Sequence, residues 1–194
     1  MDTHVLIPKE IDEDEPCIRC VPGSKMHRGK FKDDAMLPRE GRNDVSVLRE
    51  KYTTIDFCVE HGKSIDKNTH KLGALVRFSK KIVDEVNEWA QTKDSEVLDA
   101  DTKKTSVCGM KGHLEYSPMD GKEYVDKERD YYIDSPISLP MHADLLFEEP
   151  LERGLVRIKM RKYGNELIKR SKKAYMSEDD KLGDWTSDNK APSN

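Results

Sequence analysis

The sequence predicts an α+β fold: a single domain with a mixed or antiparallel sheet, a long amphipathic helix and a C-terminal helix. Three observations carry this reading. Short apolar runs rich in β-branched residues recur between turns marked by Pro and Gly. One segment, Asn68 to Gln91, keeps apolar residues at helical spacing. The chain has 194 residues, a length that suits one domain.

Residues 1–16 are acidic and read as an extended arm ending in Asp12, Glu13, Asp14, Glu15 and Pro16. The domain proper spans residues 17–176. Its first strand is Cys17 to Val21, closed by the turn pair Pro22-Gly23. Ser24 to Asn43 has no sustained period and reads as a long loop, a length usually tied to function or mobility. Val45 to Leu48 and Ile55 to Val59 are the next strands, on their β-branched content. Within Asn68 to Gln91, Leu72, Val76, Val83, Val86 and Ala90 fall on one helical stripe. A rival reading makes Leu72 to Phe78 a strand and starts the helix near Ser79. Gly73, which costs roughly 1 kcal/mol inside a helix, keeps that rival open.

Lys93 to Lys104 reads as a charged loop. Short strands are expected at Ser106 to Cys108, His113 to Tyr116, Glu123 to Val125, Tyr131 to Ile133 and His142 to Phe147. Leu155 to Met160 fits either a strand or an extension of the final helix, which is placed at Asn165 to Tyr175 with Asn165 as its cap. Residues 177–194 are polar and acidic and are expected to form a disordered tail.

Charged residues make up 37% of the chain and hydrophobic ones 35%. Typical domains carry about 25% charged residues, so a modest core under long solvated loops is expected. The net charge is -4, with both signs interspersed. Only Arg153 to Lys173 is basic, which speaks against nucleic acid as the ligand and leaves a protein partner as the expectation. No apolar run reaches the ~18 residues of a membrane span. The first residues lack a basic and then apolar signal pattern. The four cysteines are then expected as reduced thiols in the cytoplasm.

Those thiols suggest one chemistry. Cys17 and Cys20 are spaced C-x2-C, and Cys58 and His61 are spaced C-x2-H. Three thiolates and an imidazole are a sufficient set for tetrahedral zinc. The competing reading treats the cysteines as small buried residues. Strand alternation in CIRCV also turns neighbouring side chains to opposite faces. Cys108 and His113 form a further pair, usable in a metal site or as nucleophile and base.

Two polar residues stand out. Arg19 lies inside an apolar strand, where a charge must find a partner. That partner is either structural, such as Glu60 or Asp144, or a bound anion. His142 opens an apolar run after Pro136 and Pro140, where its charge is tunable near neutral pH. Asp144, Glu148, Glu149 and Glu152 are candidate acids or bases.

Three patches, CIRCVP, DVSVLRE and DSPISLPMHADLLF, resemble a group of small bacterial proteins with no assigned activity. In that group an early strand carries an Arg, a Ser-Val pair follows, and a Pro-x-His-Ala step comes late. Arg19, Ser46 and His142 match those positions, and the resemblance implies a shared pocket. The order also resembles the ADP-ribosyltransferase arrangement. There Arg19 and Ser46 would hold a nicotinamide dinucleotide, and one of Glu148 to Glu152 would orient the ribose.

Three functions follow as expectations. The first is a non-enzymatic accessory or interaction protein. The second is a small enzyme or nucleotide-binding protein using Arg19, Ser46 and His142 around a phosphate-bearing ligand. The third is a zinc-stabilised module built on Cys17, Cys20, Cys58 and His61.

Overall fold

The computed structural model describes residues 6–65, 70–99, 101–120, 124–126, 131–133, 138–148, 155–178 and 181–182. Its main strands are β1 (Pro16–Pro22), β2 (Asp44–Arg49), β3 (Leu72–Ser79), β4 (Lys111–Tyr116), β5 (His142–Glu148), β6 (Lys172–Glu178) and β7 (Lys181–Leu182). Its α-helices are α1 (Ile55–Ile65), α2 (Lys80–Trp89) and α3 (Val156–Arg170). The sheet order is β7-β6-β3-β1-β2-β5-β4, and neighbours run antiparallel. The fold class is therefore α+β, as the sequence predicts.

Alternation along the strands builds two cores. Cys17, Val21, Val45, Val47, Val76, Phe78, Leu145 and Phe147 face α2 and α3, against Val83, Val86, Tyr163 and Leu167. Ile18, Cys20, Leu48 and Leu75 face the other way, against Cys58, Ile55 and Val59 of α1. A sheet with helices on both sides needs this period of two on every central strand.

Several expected elements change type. Ile55 to Val59 is the start of a helix, not a strand. The Thr54 hydroxyl accepts the Phe57 N–H at 3.2 Å, and the helical spacing of Ile55, Cys58, Val59 and Gly62 gives a face that fits the sheet. Tertiary packing here overrides β-propensity. In Asn68 to Gln91 the rival reading is the one observed: β3 leads directly into α2. Leu155 to Met160 belongs to the final helix, which ends at Arg170 and not at Tyr175. The chain then re-enters the sheet as β6, two residues into the segment expected to be unstructured. Glu96–Leu98 pairs with Thr105–Val107 inside the expected charged loop. Most of the remaining tail, Glu149 and Glu152 lie outside the described residues.

The long loop is anchored. Ala35, Met36 and Leu37 are buried in the core beside α3. Gly164 permits this, because a Cβ there would lie 2.8 Å from Met36 Cβ. The arm is anchored too. Arg49 is fully buried, donates from Nε and Nη2 to the Glu15 carboxylate, and donates to the carbonyls of Pro8 and Glu10. Tyr52 and Tyr116 rings flank its guanidinium at 4.9 and 5.2 Å. No helix among the described residues is long and apolar enough to cross a membrane.

Candidate functional site

The central strands part at Arg19. β1 pairs with β3 along its whole length, from Pro16↔Ser79 to Pro22↔Leu72. It pairs with β2 only at Cys17↔Arg49 and Ile18↔Leu48. Beyond Ile18 the two strands form a wedge. The Ser46 carbonyl, which would face β1 in a continued ladder, accepts a hydrogen bond from Arg19 Nη1 at 3.0 Å at the solvent-open end of that wedge.

Arg19 springs from the α2/α3 side by alternation with Cys17 and Val21. A guanidinium carries five N–H donors. Nη1 uses one on Ser46, and Nε is sealed from solvent with no partner. Burial pushes the Arg19 pKa down, Arg39 nearby pushes the same way, and Cys20 and Asp44 oppose. The structural partners expected for Arg19 are engaged elsewhere. Glu60 pairs with Lys63 at 2.8 Å, and Asp144 stands 3.7 Å from His142. Asp44 is held by Arg42 through two bonds of 2.8 and 2.9 Å. Among the described residues, Arg19 has no carboxylate within ion-pair distance.

Ser46 and His142 lie on the α1 side. Ser46 is exposed on β2 and sits opposite Asp144 of β5. His142 is opposite Leu48, one diagonal step away, which places it about 7–8 Å from Ser46 at the backbone. Arg19 on β1 thus meets Ser46 on β2 only through the Ser46 carbonyl, with the two side chains on opposite faces, and His142 lies one strand further out, on β5. The buried His142 has Nδ1 2.6 Å from the Ser117 carbonyl, so Nδ1 carries the proton and donates. Its Nε2 is sealed and without a hydrogen-bond partner, 3.7 Å from Asp144 Oδ1. Burial pushes the Asp144 carboxyl up, while His142 and the Ser117 hydroxyl hold it back. His61 of α1 reaches the same neighbourhood: burial lowers its pKa, and His142 adds to that. Phe57 stacks on its ring at 5.9 Å, nearly parallel at 6°.

The metal set is spread apart. Cys17 belongs to the α2/α3 core, while Cys20 and Cys58 belong to the α1 core. Cys20 Sγ is 3.5 Å from the Cys58 carbonyl, and the neighbouring thiol disfavours a second charge. Among the described residues, no three metal-capable side chains come together. All four cysteines are free and buried. Burial pushes Cys17 and Cys20 up to about 12 and Cys58 up to about 11. Cys108 also stays inside, donating to the Lys159 carbonyl at 3.4 Å. Glu148, the described member of the acidic set matched to ADP-ribosyl transfer, lies four residues along β5 from Asp144, roughly 13 Å away. Its carboxylate is 3.9 Å from exposed His113.

A cavity lies between α2 and α3. It is a cleft of about 560 Å³ lined by Trp89, Lys162, Glu166 and Arg170 among others. Its charges are already matched in part, since Arg170 and Lys169 both bind Glu166, at 2.8 and 3.6 Å.

Sequence reasoning missed Arg39 and the pairing of Asp44 with Arg42. Both fall in or beside the polar loop, and only the strand register brings them near Arg19. Comparison with family models, with curated proteins and with solved structures finds no match.

Proposed function

We propose that this protein is a non-enzymatic interaction protein of the cytoplasm that holds an anionic group of its partner in the wedge at Arg19. One observation carries this reading: a guanidinium inside the sheet whose Nε is sealed without a partner, whose Nη1 makes a single hydrogen bond, and which has no carboxylate beside it. Buried charges are ordinarily paired, because an unpaired one loses its hydration without compensation. An anion entering the solvent-open end of the wedge would supply that compensation. The non-enzymatic part is supported by His142, whose free ring nitrogen is sealed from solvent and so is poorly placed to take a proton from a ligand.

The test is thermal stability of the full chain against a panel of anions, for the wild type and for Arg19→Met. A ligand at 100 times its dissociation constant adds about 2.7 kcal/mol. The wild type is expected to gain stability and Arg19→Met to gain none. Equal gains in both proteins would refute the reading.

A further inference from the structure

Among the described residues the sheet ends at β4, and that edge is only partly closed. In an antiparallel ladder, successive residues turn their N–H and C=O groups toward one neighbour and then toward the other. Gly112 turns both groups outward, where the Asn87 side chain takes them at 2.9 and 2.8 Å. By the same period of two, Leu114 and Tyr116 turn theirs outward as well. The inner side agrees in phase, since the next residue, Ser117, donates its N–H to the His142 carbonyl. Among the described residues, neither Leu114 nor Tyr116 has a backbone hydrogen bond on the outer side. Four backbone groups thus face outward without a partner.

Glu115 stands between them, on the α1 face of the sheet. Its carboxylate is exposed and 3.7 Å from His113, with no lysine or arginine within ion-pair distance among the described residues. Asp144 lies directly opposite it on β5, and Glu148 stands 3.9 Å from the same His113. A positive charge is therefore best matched on the outer flank of Glu115. A second copy of the chain does not supply one. Two β4 edges that use all four backbone groups pair Leu114 of each with Tyr116 of the other. That sets Glu115 opposite its own copy at a non-hydrogen-bonded position, where side chains are closest and like charges repel.

We propose that the β4 edge takes an extended segment of a partner protein as an added antiparallel strand, with a lysine or arginine opposite Glu115 and a β-branched residue on either side of it. The β-branched side chains fall on the other face, against the half-buried Leu114 and Tyr116. The site lies three strands from Arg19 and does not rest on the anion reading.

Amide NMR of the full chain during titration with the capped peptide Thr-Val-Lys-Val-Thr, and with its Thr-Val-Glu-Val-Thr counterpart, tests this. Hydrogen exchange of the Leu114 and Tyr116 amides is expected to slow when the lysine peptide binds. The amides of His113 and Glu115, which face β5, are expected to stay as they are. The lysine peptide is expected to bind about fivefold tighter than the glutamate one, the scale of a cross-strand charge pair. In Glu115→Gln, an exposed variant that leaves the core intact, that ratio is expected to fall toward one. Binding without protection of Leu114 and Tyr116, or no binding at millimolar peptide, would overturn the edge site. Equal binding of the two peptides, with those amides protected, would overturn the basic partner and leave the edge site in place. Sedimentation showing that the wild type pairs with itself, with the same two amides protected in the absence of peptide, would overturn the partner strand in favour of a second copy.

Discussion

Arg49 and Glu15 form a two-pronged ion pair that is sealed from solvent, with side-chain exposures of 0% and 3%. The pair ties β2 to the arm, since the same guanidinium also binds the Pro8 and Glu10 carbonyls. Removing one partner leaves an uncompensated buried charge, which typically costs about 3–5 kcal/mol. Glu15→Gln is expected to destabilise by that order in urea unfolding. It should also raise proteolysis within residues 6–15. Replacing both residues with apolar ones of similar volume should cost much less.

At Gly112 the edge strand β4 has its outward backbone groups paired by one side chain. Asn87 donates to the Gly112 carbonyl at 2.9 Å and accepts the Gly112 N–H at 2.8 Å, imitating a neighbouring strand. Tyr163 holds the amide in place with a 2.8 Å bond to the same oxygen. Asn87→Ala leaves those backbone groups unpaired, at about 1–3 kcal/mol. Lower stability by calorimetry is expected, with concentration-dependent association, because bare edges pair with other chains.

Alkaline pH should unfold the protein through its thiols. Unfolded cysteines ionise near pH 8.5. The folded values of Cys17 and Cys20, near 12, and of Cys58, near 11, lie above that. Below the unfolded value both states are protonated and the contribution to stability is complete. As pH rises from there towards 11–12, only the unfolded state releases protons, and stability falls. Denaturant midpoints from pH 7 to 11 should decline, and Cys20→Ala should flatten part of the slope. Thiol reagents at pH 8 should label the protein only as fast as it opens.

Asp144 follows the same sign. Burial raises its folded pKa, so its contribution is fully present at low pH and is lost as pH rises through the folded value. Asp144→Asn keeps the shape without the charge. It is expected to be at least as stable as wild type at pH 7 and to lose any advantage below about pH 4, where the unfolded acid is also protonated. Melting temperatures at pH 3.5 and pH 7 check this.

The strands Cys17–Val21, Val45–Leu48 and His142–Phe147 were legible because their apolar runs satisfy both cores at once. Ile55–Val59 was not, because its β-branched residues are equally compatible with a helix that has a sheet to cover. Arg19 was legible as a charge in an apolar strand; it meets Ser46 through the backbone carbonyl alone, and His142 lies one strand beyond Ser46. What could not be read is the strand register: it ends the β1–β2 ladder at Ile18, puts Arg19 and Ser46 on opposite faces, and brings Arg39 into range. Cys17 and Cys20 were paired by spacing, but the extended backbone between them turns the two thiols to opposite sides.

The most direct measurement of the central claim is nitrogen-detected NMR of the Arg19 guanidinium during titration with inorganic phosphate, with the signal assigned through Arg19→Met. Saturable movement of the Arg19 resonances, together with slowed solvent exchange of their protons, is the expected result. Arg19 signals that stay fixed while phosphate binds elsewhere, or does not bind, would contradict the account.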